Sequence, residues 1–159
     1  MGSRSKTDLA YIAGFLDGDG SLMLQIKKRK DGKLKYRFMC TICLYQDSRH
    51  EETLIWMKKL FGVGYVSRRG DGITELRING YGQVKKILSL LLPFIRLKKV
   101  QAVSLLKASK FLSEKAGSAL TKKHLRFLVD CIIEIQKNNY VARKKKTRDE
   151  LLRVLGLTP

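Results

Sequence analysis

Leu9-Ala10-Tyr11-Ile12-Ala13-Gly14-Phe15-Leu16 is apolar on every side and stops abruptly at Asp17-Gly18-Asp19-Gly20. Folded as a helix, this segment has no polar face to offer water, so it must be covered all round. The pattern predicts a helix capped at Thr7 or Asp8. It ends at the Asp-Gly-Asp-Gly turn, where two glycines allow backbone geometry that other residues resist. Ala10, Ala13 and Gly14 are small enough to let a second such helix approach closely, although small residues in a buried helix also serve ordinary packing.

Two strands follow, Leu22 to Lys30 and Leu34 to Gln46, around Asp31-Gly32, a strong hairpin signal. Along the second strand Phe38, Cys40, Ile42 and Leu44 share one face, and Arg37, Met39, Thr41, Cys43 and Tyr45 share the other. A helix is predicted from His50 to Phe61, opened by a Ser48/Glu51 capping box and stopped by Gly62. Tyr65 to Arg69 and Ile73 to Asn79 read as a second hairpin. Helices follow over Gly82 to Leu92, Lys98 to Leu112 and Lys122 to Lys137. A basic stretch, Arg143 to Arg148, then leads into a short helix with a Thr147/Glu150 capping box. The order is αββαββα plus a helical tail, an α+β fold with an antiparallel sheet. With 44% hydrophobic residues, 159 residues suffice for one domain with its own core. No sequence repeat accompanies the repeated helix–hairpin pattern.

Charge narrows the partner. Thirty-three Lys and Arg residues against fourteen Asp and Glu give a net charge of +19. That excess points to a polyanion, nucleic acid before an anionic membrane surface. The longest uncharged runs, Phe38 to Gln46 and Ile87 to Ile95, fall well short of the roughly 20 residues that span a bilayer. There is no basic amphipathic helix with an evidently exposed apolar face, and no secretory signal is expected. Three cysteines, Cys40, Cys43 and Cys131, argue against a disulfide framework and for an intracellular setting. One sheet face carries Gln25, Lys27 and Arg29, then Arg37, Thr41 and Tyr45, then Ser67, Arg69, Glu75 and Arg77. Lysines suit phosphates, while Arg, Gln and Thr suit base edges in a major groove that admits a β-ribbon. A plain solvated sheet face is the competing reading. RNA is the less favoured nucleic acid, because exposed aromatics for base stacking are sparse.

Asp17 and Asp19 sit two apart in the glycine-bracketed turn. Such a turn can aim a carboxylate and a backbone carbonyl at a hard cation such as Mg²⁺. An ordinary Asx-turn is the alternative. One protomer holds too few carboxylates for a two-metal site; a homodimer with this helix on its twofold axis has two copies of Asp19.

Tyr11-Ile12-Ala13-Gly14-Phe15-Leu16-Asp17-Gly18-Asp19-Gly20-Ser21 resembles the signature helix and turn of the LAGLIDADG homing endonucleases. The motif occurs once in a short chain, as in the homodimeric, intron-encoded subgroup. Gly62-Val63-Gly64-Tyr65-Val66 and the stretch from Pro93 to Ala102 are similar to that subgroup as well. The resemblance covers residues 8–137, with 138–159 a basic linker and C-terminal helix of the same domain. It implies a site-specific double-strand DNA endonuclease that binds a long pseudo-palindromic target as a homodimer, uses Mg²⁺ or another divalent cation such as Mn²⁺, and leaves 3′ overhangs. It implies Asp19 as the metal-binding carboxylate, with the Gly18 carbonyl beside it. Gln46 would organise water, and Lys98 would support that water and stabilise charge at the attacked phosphate. Ala10, Ala13, Gly14 and Asp17 would line the dimer interface. His50 falls where some relatives carry an arginine, which leaves its role open. Strands of about 8 residues span roughly 27 Å, so two sheets end to end reach about 55–70 Å. At about 3.4 Å per base step that covers on the order of 16–20 base pairs.

Other signals fall away. Cys40-Thr41-Ile42-Cys43 has CxxC spacing, but on a strand the two sulfurs point to opposite faces, which argues against zinc. Gly62-Val63-Gly64 lacks the Gly-Lys-Ser/Thr of a phosphate loop. Asp31-Gly32-Lys33 reads as a hairpin tip. The alternative function is a non-cleaving binder, such as an intron RNA maturase or a DNA-binding regulator. The presence of Asp19, Gln46 and Lys98 together favours the nuclease.

Overall fold

The computed structural model describes residues 4–31, 35–139 and 145–159. Helix α1 (Lys6–Asp19) leads into strands β1 (Gly20–Lys28) and β2 (Tyr36–Asp47), a single 3-10 turn at Ser48–His50, and helix α2 (Glu52–Phe61). Strands β3 (Tyr65–Arg68) and β4 (Ile73–Asn79) follow, then helices α3 (Tyr81–Leu91), α4 (Lys99–Glu114), α5 (Lys122–Asn138) and α6 (Arg148–Val154). The four strands form one antiparallel sheet in the order β1-β2-β4-β3. The α+β architecture and the αββαββα order agree with the sequence reading. The expected turn at Asp31-Gly32, the start of the second strand at Leu34, and Arg143-Lys144 of the basic stretch lie wholly or partly outside the described residues.

Alternation divides the sheet. Leu22, Ile42 and Ile78 stand side by side on β1, β2 and β4, as do Leu44 and Leu76. This face packs on the helices in one continuous cluster that reaches from Leu9, Ile12 and Leu16 of α1 to Leu151, Leu152 and Leu155 at the C-terminal end. The Tyr36 hydroxyl donates to the Leu155 carbonyl at 3.3 Å, tying the tail to the start of β2. Cys40 lies in this core and Cys43 on the opposite face of β2; both are free and buried, as is Cys131. Burial pushes the Cys40 thiol up to about 12 and the Cys131 thiol up to about 11, so both stay protonated and inert.

Two local expectations are corrected. Ser5, not Thr7 or Asp8, caps α1, its Oγ accepting the Asp8 amide at 3.0 Å. The helix runs through Asp17 and Gly18 to Asp19 and so ends within the expected Asp17–Gly20 segment. The Ser48/Glu51 capping box does not form. Asp47 caps the 3-10 turn, and Glu51 turns instead to Arg68 and Thr74, accepting from the Thr74 hydroxyl at 2.9 Å. Tertiary partners on β3 and β4 outcompete the local cap. The Thr147/Glu150 box forms as expected, and a further one, Thr121 with His124, opens α5.

Two glycines are set by close approach. At Gly20 a Cβ would lie 2.5 Å from Leu16 Cδ1 and 2.8 Å from the Leu16 carbonyl oxygen, so only glycine lets β1 leave α1 this sharply. Gly64 has φ +95°, and a Cβ there would meet Ile78 Cγ1 at 2.9 Å and the Arg77 carbonyl oxygen at 3.0 Å. Gly64→Ala is therefore expected to lower stability by about 1–3 kcal/mol. A denaturation midpoint equal to the wild type's would show that β3 relaxes away from β4 without cost.

Candidate active site and nucleic-acid face

The C-terminal end of α1 is held by a residue that sequence distance hides. Lys98 Nζ donates to the carbonyls of Leu16 at 2.9 Å and Asp17 at 2.7 Å; the Leu16 oxygen also accepts the Gly20 amide, while the last carbonyls of a helix lack intrahelical partners. In return both Asp17 oxygens accept backbone amides, from Arg96 at 2.8 Å and Lys98 at 3.0 Å. The two segments lock each other. Burial pushes the Lys98 ammonium below its ordinary range, while the nearby Asp17 and Asp19 carboxylates pull it back up.

Asp19 is the last residue of α1 and is exposed, as is Gly18. Gln46 lies on β2 two residues past Leu44, the partner of Gly20, which directly follows Asp19. The half-buried Gln46 accepts the Asp47 amide through Oε1 at 2.8 Å. Lys98 and Asp19 thus meet at the end of α1, near enough for their charges to interact, while Gln46 lies two positions beyond the strand pair that follows it. Exposed His50 closes the 3-10 turn just beyond Gln46, next to a fork in which Arg49 holds Asp47 at 2.8 Å and keeps that carboxyl well below the usual range.

Asp17, expected at a dimer interface, is half-buried with both oxygens engaged inside its own chain. Nothing local could have revealed this, since its partners lie 79 and 81 residues away. Ala13 is also corrected: it is fully buried in its own core. The ridge that α1 leaves exposed is Ala10, Tyr11, Gly14 and Gly18, at helical spacing. Tyr11, 54% exposed, packs its ring edge-on to Trp56 of α2 at 5.9 Å.

The sheet face away from the core begins at this site and runs outward. Gln25 and Lys27 on β1, Arg37 and Tyr45 on β2, Ser67 on β3, and Glu75 and Arg77 on β4 share it by alternation, with Arg29 and Arg69 just past the ends of their strands. Thr41 does not belong among the accessible residues. It is fully buried on the central strand and gives its hydroxyl to Asn79 at 2.7 Å. Cys43 lies on the same floor, between longer side chains. Tyr65 was missed as a member of this face, although the alternation that selects Ser67 also selects it; it stands opposite Arg77. Lys27 and Arg37 are directly opposite one another at the outer end. Like charges so placed repel, and a polyanion lying across them relieves that repulsion.

An exposed carboxylate at the end of α1 thus stands beside a basic antiparallel sheet face. The LAGLIDADG endonuclease family matches residues 12–112. The DNA endonuclease I-CvuI of Chlorella vulgaris is 36% identical over 93 residues, 58% of this chain and 58% of that protein. I-CreI of Chlamydomonas reinhardtii, also a DNA endonuclease, is 35% identical over 103 residues, 65% of this chain and 63% of that protein. The matched stretches therefore span under two thirds of these relatives. In three dimensions the similarity is wider. The crystal structure of I-CvuI with an I-CreI target and Mg superposes with TM-score 0.77 and 26% identity over 97% of this chain and 98% of that one. I-SmaMI bound to cleaved DNA superposes with TM-score 0.73 and 21% identity over 98% of this chain but 49% of that one. This chain belongs to the LAGLIDADG endonuclease family.

Proposed function

We propose that the chain is a site-specific double-strand DNA endonuclease. Two copies bind a long pseudo-palindromic target and hydrolyse both strands with Mg²⁺ or another divalent cation, leaving 3′ overhangs. The observation that carries this reading is the meeting of Asp19 and Lys98 at one exposed helix end, at the inner edge of a basic sheet face whose second strand carries Gln46.

The donor set fits a hard cation that is shared. Among the described residues no three His, Cys, Asp or Glu side chains gather in one place, and Asp17 is spent on amides. That leaves Asp19 and the Gly18 carbonyl from each chain. Mg²⁺ typically takes only one or two carboxylates, with water and substrate phosphates completing its shell. Held by Asp19 and the Gly18 carbonyl, a divalent cation would supply Lewis-acid polarisation of the phosphate and would acidify water at the site. The chain's own parts do the rest. Asp19 holds the cation, Gln46 orients water through its amide, and the Lys98 ammonium offers positive charge to the developing phosphate charge. The basic face grips the duplex and sets its register.

Two features support two copies. The chain fills only half of the longer I-SmaMI fold. The exposed ridge on α1 also carries glycines at positions 14 and 18, where an added Cβ would meet nothing within 4 Å. Among the described residues no helix is long and apolar enough to cross a membrane, in keeping with a polyanion as the reason for the charge.

A library of long randomised duplexes, incubated with the protein in Mg²⁺ and sequenced for new ends, tests the reading. Discrete, staggered, near-palindromic cuts are expected. No cuts, under conditions where a binding selection still recovers specific DNA or RNA, would replace the endonuclease with a binder.

A further inference from the structure

The floor of the sheet face carries a row of polar side chains beside the candidate active site. Ser21 Oγ and the Tyr45 hydroxyl lie 3.1 Å apart. Cys43 Sγ donates to Glu75 Oε2 at 3.8 Å, and Arg77 Nε donates to Glu75 Oε1 at 3.2 Å. Arg77 Nη2 approaches the same oxygen at 3.2 Å, with side-chain exposures of 24% for Arg77 and 13% for Glu75. Both Glu75 oxygens are therefore engaged. Burial pushes the Cys43 thiol up, so it remains a donor at neutral pH.

Arg77 differs from the other cations of this face. Arg69 pairs with the exposed hairpin residue Asp71, both about half exposed, and Lys27 and Arg37 stand exposed without a paired carboxylate among the described residues. Arg77 alone is held by a nearly buried carboxylate that is itself fixed from behind. One side of its guanidinium is spent on Glu75. The Nη1 edge makes no hydrogen bond among the described residues. Reading guanine requires two parallel N–H groups aimed at O6 and N7, which a fixed fork can do and a freely rotating one does poorly.

We propose that Glu75 is a positioning residue that holds Arg77 to read a guanine in the inner part of each half-site. The inference rests on the DNA-endonuclease reading and specifies one base pair of its target. The inner location follows from register. Arg77 pairs with Cys43, and Cys43 pairs with Ser21, only two residues beyond Asp19. Lys27 and Arg37 lie six residues further out.

The test is a binding selection from duplexes randomised at the inner positions, run on wild type, Glu75→Ala, Glu75→Gln and Arg77→Lys. The wild type is expected to favour guanine at one symmetric position by about tenfold or more. Arg77→Lys keeps the charge but loses the fork, so that preference should vanish. Glu75→Ala should flatten the same position and leave the others intact. Glu75→Gln, which keeps shape but loses charge, should give an intermediate preference, and it decides the matter if the alanine variant does not fold. A wild type that selects a defined site with no guanine preference removed by Arg77→Lys would overturn the proposal and leave the endonuclease standing. Glu75 variants that weaken every sequence alike, with the preference intact, would overturn it too. A wild type that selects no DNA would instead remove the endonuclease reading underneath.

Discussion

Asp19→Asn is expected to lower double-strand cleavage by about 10²–10³-fold or more while DNA affinity persists. The placement of Asp19 is the argument. It ends α1, whose last turn carries no basic residue, and a helix C-terminus already bears partial negative charge. A carboxylate there is opposed by the helix and by any phosphate that approaches, unless a cation neutralises it. The Lys98 ammonium that caps α1 offsets part of this repulsion, since the Asp19 charge also acts on it. The asparagine variant relieves the helix-end repulsion and gives up that attraction, so its stability should stay within about 1 kcal/mol of the wild type's. It should also bind its target at least as well in metal-free buffer. Loss of cleavage with stability kept would mark Asp19 as a functional residue. Cleavage at the normal rate would remove it from the site, and lost cleavage with lost stability would make its role structural.

Gly14→Leu is expected to break self-association and, with it, double-strand cleavage at dilute protein. Gly14 sits in the middle of α1, where glycine is worse than alanine by about 0.5–1 kcal/mol. Leucine is a good helix former, and a side chain at this position starts in open space, with nothing within 4 Å of its Cβ. The protomer therefore has no steric reason to suffer. A second α1 lying against the Ala10, Gly14 and Gly18 ridge does, because a leucine there holds the two backbones apart. Sedimentation should show monomers where the wild type is expected to sediment as a dimer, with α-helical content retained. Gly14→Ala should fall between the two. A Gly14→Leu protein that still sediments as a dimer and cuts both strands would move the seam away from α1.

The elements were legible in the residues because their signals are local. The all-apolar run, the two hairpins and the Thr147/Glu150 box each depend on neighbours a few positions apart, and each stands where the pattern puts it. Opposite-facing Cys40 and Cys43 followed from strand periodicity alone. The candidate active-site residues were legible in another way: Asp19 stands out as an acid in a turn of a basic chain, but Gln46 and Lys98 rested wholly on resemblance.

What the amino-acid sequence by itself determined was the fold class, the strongly basic charge and the acidic Asp17–Asp19 pair, since periodicity, net charge and residue identity survive without knowledge of contacts. What only the tertiary structure decided was which side chains are available to act. Ala13 and Thr41 look accessible on a helix or strand drawn alone, and both are buried once α1 is packed and β2 takes the central position in the sheet. Asp17 looks like a twin of Asp19, yet backbone amides about eighty positions away claim both its oxygens, leaving Asp19 alone to face outward. Glu51 forsakes its local cap for Arg68 and Thr74 by the same logic. Hydrogen-bonding groups inside a fold take the partners that packing brings to them, and those partners are set by register and crossing geometry rather than by distance along the chain.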